Sequence, residues 1–325
     1  MTVIGFHASH EQVHPVRLLE AVQQAEQVGF TAAMCSDHFS PWSERQGHSA
    51  FAWSWLGAAL QATDLPFGVV NAPGQRYHPA VIAQAAATLT AMYPGRFWAA
   101  LGTGEASNEH ITGGGWPRKQ VRNARLGECV EVLRALFAGE EVSHDGLVVV
   151  DRARLWTRPE VPPPLLAAAV SAETARWAAG WADGLATVLQ PRAALVQVIE
   201  AYRGAGGRGP LVLQVHLSYA ADEETALRTA HEQWRTNVFD PPVCWDLDHV
   251  ALFDEAAKHV PPEAMHGPVL VSSDPGRHVA WLVELVELGF DEVYLHHVGQ
   301  EQREFLDTFG DRVLPQLDIT RRAAA

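Results

Sequence analysis

The chain has 325 residues, of which 47% are hydrophobic and 19% are charged, the balance of an ordinary globular protein. Its net charge of −14 argues against binding to nucleic acid or to an anionic membrane surface. Three widely spaced cysteines exclude a disulfide framework. Neither a signal peptide nor a run of roughly 18 apolar residues occurs, so we expect a cytoplasmic protein.

Short apolar segments alternate with helical patterns through the first part of the chain. We predict strands at residues 3–9, 31–37, 65–72 and 96–102. We predict helices at residues 15–28, 49–63, 79–92 and 122–138. Each strand is followed by a helix after a short connection, and this order implies a parallel sheet.

The alternation continues in the second part of the chain but is interrupted twice. An insertion at about residues 141–160 contains Asp145-Gly146, a turn signal that predicts a β-hairpin. A second insertion at residues 240–267 is Pro-rich, and we expect it to lie irregularly over the barrel mouth. The remaining strands are predicted at 165–170, 184–189, 211–219 and 292–297, and the helices at 172–182, 193–203, 223–238, 274–288 and 302–314. Eight strands with intervening helices predict an α/β fold, a (β/α)8 TIM barrel that forms one domain over residues 1–325.

Two predicted strands end in residues that can carry out acid–base chemistry. Asp37-His38 follows the second strand, and Glu105 follows the fourth, where barrel enzymes keep their catalytic groups. His38 either takes a proton from a substrate hydroxyl or only orders its loop through Asp37. Glu105 either relays a proton or is an acid at a helix N-terminus. Trp42 either packs over a bound ring or covers the barrel top.

Other strand ends offer room for a ligand. Gly102 and Gly104 allow close backbone approach, but the segment lacks the third glycine of a dinucleotide fingerprint. Ser171 opens a predicted helix and is either a phosphate seat or an ordinary N-cap. Asn108 either binds a ligand or caps the helix after Glu105. The end of the third strand, residues 68–74, forms either a bulge against a ligand or a turn.

Two classes of hydrolase also use polar residues at the strand ends of a barrel. Sixteen histidines, several near strand ends, suggest a metal-dependent barrel hydrolase, but no HExxH motif occurs. A glycosidase needs two carboxylates at strand ends, and the seventh strand ends in Ser218-Tyr219 without an acid. We therefore predict no metal site.

Three motifs carry a resemblance to a known family. They are SDHFSPW at 36–42, RYHPAVIAQA at 76–85 and GTGEASNE at 102–109. With them the chain resembles the bacterial luciferase-like superfamily over nearly its whole length. Within it the likeness is to the deazaflavin (F420)-dependent glucose-6-phosphate dehydrogenase group, or to an FMN-using side branch.

The resemblance implies roles for individual residues. His38 matches the base on the substrate hydroxyl, Glu105 a residue that assists proton transfer, and Trp42 one that steadies the reacting centre. The strand-three end around Val69 and Val70 matches a bulge with a non-prolyl cis peptide bond. The full set implied to bind the coenzyme is Asp37, Val69, Val70, Asn71, Gly102, Thr103, Gly104, Asn108, Val170 and Ser171.

Two departures from the group bear on coenzyme and substrate. Val170-Ser171 stands where the sugar-phosphate dehydrogenases have a glycine pair, so FMN is slightly favoured over F420. Arg192, Lys258 and His266 are not convincing counterparts of the sugar-phosphate clamp, which argues against glucose 6-phosphate.

The sequence therefore predicts an oxidoreductase that transfers a hydride between the coenzyme ring and a small hydroxyl or carbonyl substrate. The alternatives are an FMN-dependent monooxygenase, a metal-dependent barrel hydrolase and a non-catalytic flavin-binding protein. The resemblance also implies a homodimer.

Overall fold

Strands and helices alternate through the computed structural model, which describes residues 2–319. In chain order the strands are β1 (Val3–Ala8), β2 (Ala32–Ser36), β3 (Phe67–Asn71), β4 (Phe97–Leu101), β5 (Val142–Asp145), β6 (Val149–Ala153), β7 (Leu165–Ala168), β8 (Leu185–Val188), β9 (Leu211–Ser218), β10 (Leu270–Val271) and β11 (Glu292–His297). Met1 and residues 320–325, which belong to the predicted single domain, lie outside the described residues.

Eight of these strands close a parallel barrel. Their order is β11-β1-β2-β3-β4-β7-β8-β9, and β9 pairs with both β8 and β11 to complete the circle. The predicted (β/α)8 TIM barrel is confirmed. The predicted hairpin insertion is confirmed too, because β5 and β6 pair antiparallel. The two-residue strand β10, which pairs with β9, was not predicted.

Helices surround the barrel and cover its mouth. They are α1 (Pro15–Gln27), α2 (Ala52–Ala62), α3 (Pro79–Met92), α4 (Ala106–Glu109), α5 (Lys119–Ala138), α6 (Ala172–Ala178), α7 (Arg192–Gly204), α8 (Glu223–Trp234), α9 (Val243–Asp246), α10 (Val250–Ala256), α11 (Pro275–Val286) and α12 (Arg303–Thr308). No helix within residues 2–319 is both long and apolar enough to traverse a lipid bilayer.

Several predicted element boundaries were wrong. The insertion at 240–267 is not irregular, because α9, α10 and a 3₁₀ turn at Pro262–His266 lie in it. The predicted helix 302–314 is an α-helix only over Arg303–Thr308, and a π-helical turn follows at Phe309–Val313. Short helices of this kind are too brief to be stable alone and depend on tertiary contacts.

The barrel interior is filled by two large aromatic side chains. Trp98 and Tyr294 are buried there, with ring centroids 5.9 Å apart. A Cβ atom added to Gly68 would overlap the Trp98 ring, and one added to Gly5 would overlap the Tyr294 ring. Two glycines thus make room for the aromatics that close the bottom of the barrel and leave its top open.

The cis peptide bond implied at Val69-Val70 is absent, and that expectation was wrong. Among residues 2–319 the structure has a cis peptide bond at Pro241-Pro242 only. Strand β3 pairs with β4 residue by residue from Phe67 to Asn71, so the ladder is continuous and has no bulge.

Candidate active site

A cavity of about 370 Å³ opens at the carboxyl ends of the barrel strands. The second insertion forms part of its lining through Cys244 and Trp245. This insertion is fixed on one side by Trp116 Nε1, which donates to Asp246 Oδ1 at 2.8 Å. On the other side the Ser43 hydroxyl donates to Asp254 Oδ1 at 2.7 Å. The volume of the cavity is in the range that small-molecule sites have, and the insertion held by these two contacts forms part of its wall.

His38 lies between two carboxylates in this cavity. Its Nδ1 is 2.8 Å from Oε1 of Glu11, which follows β1, and its Nε2 is 3.8 Å from Oε2 of Glu105, which follows β4. Glu11 is held in place by the Ser9 hydroxyl, which donates to its Oε2 at 2.8 Å. The loops after β1, β2 and β4 thus bring one imidazole and two carboxylates together.

These contacts set the charge of His38. Burial alone would lower the pKa of His38, but the negative charge of Glu11 and the contact with it prevail and raise that pKa to about 9. Burial would raise the pKa of Glu11, yet the positive charge of His38 prevails and lowers it to about 2. Burial raises the pKa of Glu105. At neutral pH the imidazole is therefore positively charged and carries a proton ready for transfer.

Glu105 lies at the N-terminus of α4, as one of the two alternatives from the sequence has it, and its side chain also faces His38. Glu105 occupies the N-cap position of α4, but its side chain makes no capping hydrogen bond. The Asn108 side-chain amide donates to Glu105 Oε2 at 3.1 Å instead. The Asn108 carbonyl oxygen accepts from the backbone N–H groups of Phe39 and Ser40. Asn108 is thus no helix cap but a link between the loops that carry His38 and Glu105.

Asp37 is buried and fully engaged by protein groups. Its Oδ2 accepts from Trp53 Nε1 at 3.1 Å and from Asn71 Nδ2 at 2.8 Å. Its Oδ1 accepts from the Tyr77 hydroxyl at 3.3 Å. Arg76 adds an ion-pair contact of 3.7 Å to the same carboxylate. Asp37 therefore fixes the base of the loop on which His38 is placed.

Trp42 packs against the His38 ring. The two rings meet edge to face, with centroids 5.5 Å apart, and Phe253 of α10 supports Trp42 from behind at 5.4 Å. Trp42 lines the cavity, so it can pack against a bound molecule beside the imidazole.

Most of the predicted site residues line this cavity together. They are Asp37, His38, Trp42, Val70, Asn71, Gly102, Thr103, Gly104, Glu105, Asn108 and Val170. Two do not. Val69 points outward from β3 into the core between barrel and helices, because neighbouring side chains of a strand alternate. The Ser171 hydroxyl is the N-cap of α6 and accepts from the Thr174 N–H, which is the alternative the sequence left open.

Sequence reasoning missed two parts of the site. Glu11 follows β1 by only three positions, and an acid just past a strand end was the signal that could have found it. The other part is a polar group on β1, β9 and β11, whose members are His7, Gln214, His216 and His296. Among residues 2–319 no group of three or more His, Cys, Asp or Glu side chains has a metal-binding arrangement.

Comparisons with known proteins agree with this architecture. Residues 1–292 match the family model described as luciferase-like monooxygenase. An F420-dependent glucose-6-phosphate dehydrogenase of Kribbella flavida is 36% identical over 328 residues, which cover 97% of this chain and 98% of that protein. Another, from Beutenbergia cavernae, is 33% identical over 334 residues and 99% of each chain.

Solved structures give the same picture. An F420-dependent secondary alcohol dehydrogenase in complex with an F420-acetone adduct is 30% identical and superposes with a TM-score of 0.89 over 97% of this chain and 99% of that one. A monooxygenase from Streptomyces bottropensis is 19% identical with a TM-score of 0.75, over 97% of this chain and 99% of that one. At that identity the second likeness concerns the fold alone.

Proposed function

Because the chain belongs to the luciferase-like monooxygenase family and is an oxidoreductase, we propose that it transfers a hydride between coenzyme F420 and a small secondary alcohol or its carbonyl. The observation that carries this proposal is the position of His38. It lies in the cavity between Glu11 and Glu105, where an imidazole can exchange a proton with a substrate oxygen.

The proposed coenzyme differs from the slight preference for FMN, which the comparisons do not bear out. The relatives reported above, at 30–36% identity over nearly the whole chain, are named for F420. The monooxygenase structure reported above is 19% identical to this chain. The serine that favoured FMN has its hydroxyl engaged as a helix cap.

The cavity fits a flat ring with an anionic tail. Gly102, which has no side chain, and the small residues Val70 and Ala168 line one side of the cavity. Lys119 and Arg122, at the start of α5, bring positive charge to the same cavity. F420, when bound, supplies an electrophilic ring carbon that accepts or returns a hydride.

The protein's own residues manage the proton. In alcohol oxidation the carbinol carbon gives up its hydride, and the hydroxyl proton passes to His38 Nε2, which must first be neutral. In carbonyl reduction the protonated His38 gives its Nε2 proton to the oxygen. With a pKa of about 9, His38 is in the form that favours reduction at neutral pH.

Glu105 assists from the other side. Its oxygen is 3.8 Å from His38 Nε2, and burial raises its pKa, so its affinity for a proton is greater than that of an ordinary carboxyl. It can therefore pass a proton between His38 and the water outside the cavity. Glu11, with its lowered pKa, stays charged and orients the imidazole.

Titration of the purified protein with F420 and, separately, with FMN tests the proposal. We expect saturable changes in the F420 absorbance band at micromolar concentrations, and loss of that band when a secondary alcohol is added. No F420 binding, with tight FMN binding and oxygen consumption by the reduced complex, would instead identify an FMN monooxygenase. F420 binding without turnover of any alcohol or ketone would mark a non-catalytic binding protein.

A further inference from the structure

One side of the cavity is built from uncharged polar side chains. His7 on β1, Gln214 and His216 on β9, and His296 on β11 all point into the barrel and line the cavity. These three strands are adjacent in the barrel, and β3, β4 and β7 face them from the opposite side. The polar group is therefore separate from the small residues that fit a flat ring.

Hydrogen bonds fix the proton positions within this group. Gln214 Nε2 is 3.1 Å from His216 Nε2 and 3.2 Å from His296 Nδ1. An amide nitrogen only donates, so both of these ring nitrogens accept. Each neutral ring then carries its hydrogen on the other nitrogen. For His296 that is Nε2, which lies 2.7 Å from Gln12 Oε1 and donates to it.

The same assignment leaves two groups for a ligand. His216 carries its hydrogen on Nδ1, and Gln214 has its acceptor oxygen Oε1, and neither atom pairs with a protein group within residues 2–319. Both residues line the cavity. A donor beside an acceptor matches a hydroxyl group, which accepts one hydrogen bond and donates another.

No positive charge stands on this side. Burial lowers the pKa of His7 to about 3 and that of His216 to about 4, and it also lowers the pKa of His296, so all three rings are neutral at pH 7. Besides His38, whose charge Glu11 offsets, the cations within residues 2–319 that line the cavity are Arg76, which Asp37 and Glu109 neutralise, and two residues of α5. A phosphate placed on this side would lose its hydration without gaining a cation that is free of a carboxylate partner.

We propose that Gln214 and His216 form a subsite for a second, non-reacting hydroxyl of the substrate. The substrate is then an uncharged polyhydroxylated alcohol, or the corresponding hydroxyketone, and not a phosphate ester. This inference rests on the proposed function and names the class of substrate for the same cavity.

A matched series of alcohols tests it on the F420-loaded enzyme. 2-Pentanol is compared with pentanediols that carry the second hydroxyl at each of the other carbons, and then with the phosphate monoester of the best diol. We expect the best diol to exceed 2-pentanol in kcat/KM by about tenfold or more, mainly through a lower KM, since two hydrogen bonds are gained. We expect its phosphate ester to be worse by about tenfold or more.

Variants locate the effect. Gln214→Met keeps the length of the side chain and removes its polar atoms, and His216→Phe does the same for the ring. Each should cut the ratio of diol to 2-pentanol kcat/KM by about tenfold. Gln190→Met is the matched control, because Gln190 follows the neighbouring strand β8 and does not line the cavity. Its side chain donates to the Thr187 hydroxyl of that strand. Should Gln214→Met fail to fold, His216→Phe carries the same test.

A binding measurement separates this inference from the proposed function. Calorimetric titration of a hydroxyketone whose hydroxyl is tertiary, and of the plain ketone, into enzyme with oxidised F420 cannot lead to hydride transfer, because neither a ketone nor a tertiary alcohol carries a hydrogen on the carbon that bears the oxygen. Tighter binding of the hydroxyketone, lost in His216→Phe, supports the subsite even if no alcohol is turned over. Equal binding of both ketones, equal rates for 2-pentanol and every diol, or a preference for the phosphate ester would overturn it.

Discussion

The two sides of the cavity are built by the same barrel but differ in chemistry. At the top of the barrel, above Trp98 and Tyr294, the side chains of β3 and β7 that line the cavity are small, such as Val70 and Ala168. On β9, β11 and β1 the side chains that line the cavity include imidazoles and an amide. His38, on the loop after β2, stands between β1 and β3 in the barrel order and so between the two sides.

This difference gives the two sides of the cavity different functions. Small side chains leave a flat space for a ring that brings its own reactivity, and the polar side distinguishes substrates by hydrogen bonding. His38 must reach both the coenzyme ring and the substrate, and its place on the loop after β2, between the two sides, allows this. Variants on the two sides should therefore change different measurable quantities.

The largest effect is expected from the group shared by both sides. His38→Ala should lower kcat by about 100-fold or more, because it removes the group that we propose exchanges the substrate proton. Steady-state kinetics with F420 and an active alcohol would measure it. His48→Ala, in the same loop but outside the cavity, is the control. A His38→Ala rate within threefold of the wild type would remove His38 from this role.

The charge of Glu11 should govern the pH profile. With the pKa of His38 at about 9, only about 1% of the imidazole is neutral at pH 7, so kcat/KM for alcohol oxidation should rise about tenfold per pH unit and level off near pH 9. Carbonyl reduction should fall above the same pH, because the acid form is lost.

Glu11→Gln removes the charge that raises this pKa. The oxidation limb should then move down toward the ordinary value of 6.5, and the reduction limb should move with it. Glu44→Gln, an exposed acid in the His38 loop, should leave both limbs in place. Unshifted limbs in Glu11→Gln would mean that another group sets the profile.

A larger side chain on the cavity wall formed by β3, β4 and β7 should weaken the binding of the coenzyme. Ala168→Leu adds three carbon atoms to a side chain that lines the cavity, and we expect the Kd for F420 to rise about tenfold or more. His216→Phe, on the polar side, should leave that Kd within twofold. Equal losses of F420 affinity in both variants would contradict the division into two sides.

The smallest effect is expected from the hydrogen bond that holds the insertion at residues 240–267 over the cavity. Trp116→Phe removes the hydrogen bond to Asp246 and should weaken F420 and substrate binding alike, by about twofold to threefold. Trp156→Phe, on a side chain that is 88% exposed in the hairpin insertion, is the control. An effect above tenfold on one ligand alone would tie the insertion to that side.

Local patterns predicted the fold well. Helix α3 spans the predicted residues 79–92 because Pro79 starts it and Pro94-Gly95 follows its end. The insertion at 240–267 could not be predicted in the same way. Its helices are short and are fixed by distant partners, such as Ser43 and Arg45 on Asp254.

Site residues could be predicted where they lie close to the end of one predicted strand. Asp37-His38 follows β2 directly, and Glu105 follows β4 after Gly102-Thr103-Gly104, so the pattern of each strand found them. Glu11 lies equally close to the end of β1, but its role depends on a contact with His38 across 27 positions of the chain. The polar side is assembled from three strands, and its hydrogen bonds appear only once those strands are adjacent.

A crystal structure of the protein with F420 bound tests the division of the cavity most directly. We predict that the coenzyme ring lies against Val70, Gly102 and Ala168, with His38 at its edge and with Gln214 and His216 facing open space beyond it. A ring seated on the imidazoles of β9 and β11, with the small side left empty, would contradict it.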